Sequence, residues 1–146
     1  MNLEEVKAQE QRYQFSQFQH SDGLKIALHI IENAKATKPK PVGIKIVYEG
    51  NLIFHYLMDG RKPAPWLNRK EKTVLESNHS SLYVFFNKEN YPHWLNDDTY
   101  AICGGGFPII VQNEVKGAIC VSGLEHTEDH DLIIQALEAY LYPKQK

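Results

Sequence analysis

Residues 43–58 read GIKIVYEGNLIFHYLM. Two runs rich in Val, Ile, Tyr and Phe, 43–49 and 51–58, flank the tripeptide Glu49-Gly50-Asn51. That arrangement predicts a β-hairpin turning at the tripeptide. A second pair follows downstream, with Pro108 to Gln112 and Val115 to Ser122 meeting across Asn113-Glu114. Hairpins make antiparallel ladders, so the strands predict one antiparallel sheet.

Helical spacing surrounds the hairpins. Residues 3–13 read as a short polar helix anchored by Leu3, Val6 and Tyr13. After Ser21 or Asp22 as cap, Leu24, Ala27, Leu28, Ile31 and Ala34 recur as one buried face, and Pro39 and Pro41 end the run. Trp66 to Asn78 returns to the same period through Trp66, Leu67, Lys70, Val74 and Leu75. Ser80-Ser81 caps a short element over 82–88 that reads as helix or strand. Thr99 to Cys103 opens a strand that Gly104-Gly105-Gly106 interrupts. The last helix takes Thr127 as its cap and buries Leu132, Ile133, Ala136, Leu137, Tyr140 and Leu141. The fold class is α+β, a central antiparallel β-sheet flanked by helices.

Composition bounds the rest. The chain has 146 residues, 42% hydrophobic and 23% charged, which is globular usage and suits a single domain over 1–146. Such a chain buries roughly 70% of its unfolded surface, enough to fold without disulfide or metal. No apolar run approaches the ~20 residues of a membrane helix, so no membrane insertion is expected. The N-terminal residues carry no apolar export segment, so a cytoplasmic setting with both cysteines reduced is expected. Charge is uneven: 12 basic and 8 acidic side chains precede residue 74, and 4 and 10 follow. That polarity suits head-to-tail association or a small anion at the basic end, and is too mild for a nucleic-acid partner.

Four groups of residues have chemistry to offer. His126 and His130 lie four apart, the spacing of a zinc-binding pair if one helix holds both; Thr127 stands where a metalloprotease has its Glu. The alternative is a first helical turn with incidental histidines. Gly104, Gly105 and Gly106 offer unobstructed N–H groups for an anion or a flat ligand, or else form a tight turn. Cys103 beside them is a soft ligand for a divalent metal ion or haem iron, or a buried inert thiol. Cys120, within an apolar strand, reads as core. Trp66 with Arg69, Lys70 and Lys72 would hold an anion such as a propionate, or would be a buried Trp with basic residues on its wet face. Tyr91-Pro92-His93-Trp94 would wall a planar ligand or pack as a lid.

In order, Trp66-Leu67-Asn68-Arg69-Lys70, His79-Ser80-Ser81, Gly104-Gly105-Gly106-Phe107-Pro108, Val121-Ser122-Gly123-Leu124 and Asp129-His130 resemble the small bacterial and fungal members of the GlcG/HbpS-like "haem-degrading" domains. The similarity runs from about Leu3 to Leu141. It implies a profilin-like α+β fold and a homo-oligomer, a dimer or larger. It also implies binding, and slow degradation, of haem. Members often carry His where this chain has Cys103, so an iron ligand here would be a thiolate. The candidate site comprises Trp66, Arg69, Lys70, Cys103, Gly104, Gly105, Gly106 and Phe107, with His126, His130 and Cys103 for a metal. No catalytic residue is assigned. A scaffold protein without activity, and an enzyme acting on a small organic acid, are the alternatives.

Overall fold

The computed structural model describes residues 1–144. Its elements run α1 (Leu3–Arg12), α2 (His20–Thr37), β1 (Gly43–Tyr48), β2 (Asn51–Leu57), α3 (Trp66–Ser77), α4 (Ser81–Phe86), β3 (Gly106–Val111), β4 (Glu114–Ser122) and α5 (His126–Leu141), with a 3-10 turn at Lys88–Asn90. The strands form one antiparallel sheet in the order β2-β1-β4-β3. Both hairpins turn where two residues take positive φ, Glu49 and Gly50 (49° and 78°) and Gln112 and Asn113 (52° and 66°), the twist that matches paired strands. The second turn therefore sits one residue earlier than Asn113-Glu114. Residues 99–103 form no strand; β3 begins within the glycine run, at Gly106.

Strand alternation sorts the core into two layers. Ile44, Ile46, Ile119, Val121, Phe107 and Ile109 point to α2 and α5, meeting Ile26, Ile30, Leu132, Ile133 and Leu137. Val47, Ala118 and Cys120 point the other way, to Leu67 and Val74 of α3. Each fully buried aliphatic side chain contributes roughly 1.5–3 kcal/mol against an exposed one. Cys120 is core, and burial pushes its thiol up to about 12.

Four helix expectations need correction. In α2 the buried face is Gly23, Ile26, Ala27, Ile30, Ile31 and Ala34, with Leu24 and Leu28 exposed. Gly23 decides the face, because a Cβ there would lie 3.0 Å from the Ile53 side chain. The cap of that helix is Gln19, whose N–H donates to Asp22 Oδ2 at 2.6 Å. In α5 the N-cap is Glu125, not Thr127, so both histidines are helical. Tyr140 and Leu141 are only partly buried.

Candidate functional site

The C-terminal end of β4, the first turn of α5 and one side of α3 enclose a hollow of about 320 Å³. Arg61, Trp66, Lys70, Cys103, Ser122, His126 and Asp129 line it. A second hollow of about 360 Å³ shares Trp66 and Cys103 and adds Arg69, Trp94 and Tyr100. Both border Trp66 and Cys103, and each is at the lower end of the size usual for a small-molecule site. Trp94 stacks on Tyr100 at 4.2 Å between ring centres, so the loop around Tyr91-Pro92-His93-Trp94 brings an aromatic wall to the cleft.

The floor is a buried ion pair. Lys70 is 2% exposed and donates to Val121 O at 2.8 Å and to Asp129 Oδ2 at 3.1 Å. Asp129 Oδ1 accepts the Leu124 N–H at 3.0 Å. Burial raises the Asp129 carboxyl above its usual range, and the Lys70 charge works against that rise. Lys70 is thus neither on a wet face nor free for a propionate: it ties α3 to β4 and α5.

The glycine run closes the site rather than opening it. The Gly104 N–H donates to His126 Nδ1 at 2.8 Å, and the Gly106 N–H to Ser81 Oγ at 2.9 Å. Gly105 O accepts the Val121 N–H at 2.8 Å. A Cβ on Gly104 would lie 2.5 Å from His126 O, one on Gly105 2.5 Å from Val121 O, and one on Gly106 2.8 Å from Val74 Cγ2. The bare backbone is used for close approach of α3, α5 and β4, so these N–H groups are no anion nest. Phe107 is likewise core, edge-on to His130 at 5.9 Å.

The three proposed metal ligands part company. Cys103 is half-buried and faces both hollows; burial raises its thiol, while the Lys70 charge opposes the rise. His126 packs edge-on against Phe85 at 4.7 Å. Burial and the Lys70 charge lower its pKa, so the neutral ring accepts Gly104 on Nδ1 and carries its proton on Nε2. In that tautomer it is a donor, not a ligand. His130 is fully buried and pairs through Nε2 with Gln9 Oε1 at 2.7 Å, with no partner at Nδ1. Among the described residues, no three His, Cys, Asp or Glu side chains are placed to hold a metal ion.

Two site residues escaped sequence reasoning. Arg61 registered only as part of a basic excess; its Nη2 donates to Ser122 Oγ at 2.9 Å. Asp129 entered only within the Asp129-His130 element, with no site role assigned, because its partner lies 59 positions away. Trp66 is 39% exposed, and the Arg69 guanidinium lies 4.2 Å from its ring centre. Arg69 Nε also donates to Tyr100 O at 2.8 Å.

The model of a family described as "Haem degrading protein HbpS-like" matches residues 18–138. A UPF0303 protein of Streptomyces coelicolor is 32% identical, with 94% of this chain and 92% of that protein aligned. A UPF0303 protein of Psychromonas ingrahamii is 32% identical over 99% and 96%. Among solved structures, Ybr137w superposes with a TM-score of 0.84 at 28% identity, covering 96% of this chain and 87% of that one. The PduOC:heme complex superposes with a TM-score of 0.68 at 17% identity, covering 86% and 95%. At that identity the likeness is one of fold.

Proposed function

The chain belongs to the HbpS-like family of haem-degrading proteins, and from that premise we propose that it binds haem in the cleft around Trp66 and Cys103 and degrades it slowly. The observation that carries the reading is the place of Cys103. Of the three candidate ligands, its sulfur is the one that faces the cleft with no hydrogen bond committed to the fold. Trp66, Trp94 and Tyr100 supply the apolar wall that a flat macrocycle needs. The Cys103 thiol would give up its proton to meet iron, and Lys70 nearby favours the thiolate. His126 would contribute its Nε2–H as a donor at the rim. Bound haem would supply iron-centred redox chemistry.

Titration with haemin is the test. The reading expects a saturable Soret change that Cys103→Ala removes or displaces and that Cys103→His preserves at a different wavelength. No Soret change with the parent protein, or one indifferent to both substitutions, ends it. Slow loss of the bound Soret band under a reductant and air, absent from Cys103→Ala, would support degradation.

The same reading makes the protein a homo-oligomer. Leu24 and Leu28 on α2 and Tyr56 on the edge strand β2 are large apolar side chains 39–48% exposed, on elements that lie together. Light scattering should return two or more times the 16.8 kDa of one chain, and a mass of 16.8 kDa would refute assembly.

A further inference from the structure

Arg61 reaches the first hollow without a counter-ion. It is half-buried and makes no ion pair among the described residues. Its backbone N–H donates to Met58 O at 2.9 Å and its Nη2 to Ser122 Oγ at 2.9 Å, which fixes both ends of the residue and leaves the other guanidinium N–H groups uncommitted. Ser122 ends β4 and is 4% exposed. A hydroxyl can donate as well as accept. Ser122 Oγ accepts from Arg61, and its own proton has no acceptor among the described residues. His126 is the third donor: Gly104 occupies Nδ1, so the ring carries its proton on Nε2, where no acceptor stands among the described residues. His126 borders the same hollow and opens α5, whose first-turn N–H groups precede any intrahelical acceptor and form the positive end of a 16-residue helix. The carboxylates close by leave these donors alone. Asp129 is held by Lys70 and the Leu124 N–H, Glu128 by Lys38, and the exposed Glu125 bonds to none of the three.

A buried hydroxyl with nothing to donate to, beside a guanidinium with no anion, calls for an acceptor from outside the chain. We propose that the first hollow binds a phosphate group, taken between the Arg61 guanidinium, the Ser122 hydroxyl and His126 Nε2–H at the positive end of α5. The three donors come from the loop before α3, the end of β4 and the start of α5, and all border one hollow. A tetrahedral oxyanion has an oxygen for each of them. A planar carboxylate would fill the guanidinium fork and leave the hydroxyl or the imidazole unused. The hollow, of about 320 Å³, has room for a small organic body beside the phosphate, against Trp66 and Leu124. Free phosphate and a small phosphate monoester share this chemistry. Neither a macrocycle nor iron is required, so the site does not rest on the haem reading.

The experiment is calorimetric titration of the full chain at pH 7, in a chloride medium of fixed ionic strength, with inorganic phosphate, phenyl phosphate and acetate as probes. Inorganic phosphate or phenyl phosphate should bind saturably, and acetate more weakly than either. Arg61→Gln should weaken phosphate at least about tenfold, the size expected for a charged hydrogen bond, and Ser122→Ala about threefold or more. Tighter binding of phenyl phosphate than of inorganic phosphate would assign the site to a monoester, and the opposite order to the free ion; both outcomes uphold it. Saturable binding of neither phosphate overturns the site, and so does phosphate binding that ignores Arg61→Gln or that acetate matches. Amide NMR of the parent chain needs no variant, so it decides the matter even if Arg61→Gln does not fold. Phosphate should shift the Ser122, His126 and Thr127 signals, and shifts confined to other parts of the chain overturn the proposal. Phosphate binding together with a haemin Soret band indifferent to Cys103 would end the haem reading and keep this site. A Cys103-dependent Soret band in a chain that binds neither phosphate would do the reverse.

Discussion

His130 carries its imidazole in the core, 0% exposed, and burial pushes its pKa down from 6.5 to about 4. The unfolded chain therefore binds more protons than the native one between those values, and stability rises with pH there. This group's contribution is fully present above pH 6.5 and drains away as pH falls toward 4. Its limiting slope is about 1.4 kcal/mol per pH unit, or about 3 kcal/mol across the window. Urea unfolding of the parent and of His130→Leu at pH 7, 6, 5 and 4 measures it. The difference between the two curves should shrink steadily on acidification, and a constant difference would contradict the burial argument. Residue-scale legibility split along the same line. The spacing Trp66, Leu67, Lys70, Val74 put Lys70 on the inner face of its helix, and it lies there. Its charge argued for solvent, because the partner that cancels it is remote in the chain. Gln9, which bonds His130 from α1, was hidden for the same reason.

At the scale of elements, the glycine run is what lets three pieces of backbone converge. Gly105 combines a φ of +118° with a Cβ position that would collide with Val121 O at 2.5 Å and with Lys70 Nζ. Gly50, in the first hairpin turn, has a φ of +78° but nothing within 4 Å of its Cβ position. Replacement by Ala separates the two effects. Gly50→Ala should cost only the left-handed backbone, about 1 kcal/mol. Gly105→Ala must also displace β4 or Lys70, and should cost at least about 3 kcal/mol in chemical denaturation. Similar losses for the two would show that the run is merely a turn. Hairpin chemistry made both strand pairs readable, since a short polar turn between β-branched runs has few other solutions. The face of α2 was not, because that helix has apolar side chains on more than one stripe. Contact with Ile53 through Gly23 chose between them, and contact is a tertiary fact.

Over the whole molecule, the basic first half and acidic second half are folded onto each other. Arg12 pairs with Glu138, Lys38 with Glu128 and Lys70 with Asp129, each pair joining one half to the other. The polarity that in the sequence suggested head-to-tail association is therefore spent in part within one chain. The first two pairs lie at the surface, where such contacts contribute little and salt screens them. The third is out of reach of salt. For the assembly proposed above, the surface offered is apolar: Leu24, Leu28 and Tyr56. Burial of apolar surface weakens with neither dilution of charge nor added sodium chloride, whereas an electrostatic head-to-tail contact loses most of its strength once the screening length falls from about 10 Å to about 3 Å. Light scattering on the full chain at 0.1 M and 1 M salt, conditions set by those two screening lengths, should accordingly give one and the same mass above the monomer. An assembly that falls to monomers in the concentrated salt would return the charge asymmetry to the role the bare sequence suggested. Substituting Leu24→Lys and Leu28→Lys should break it at either salt, because each places an ammonium in the surface that the neighbouring copy would cover.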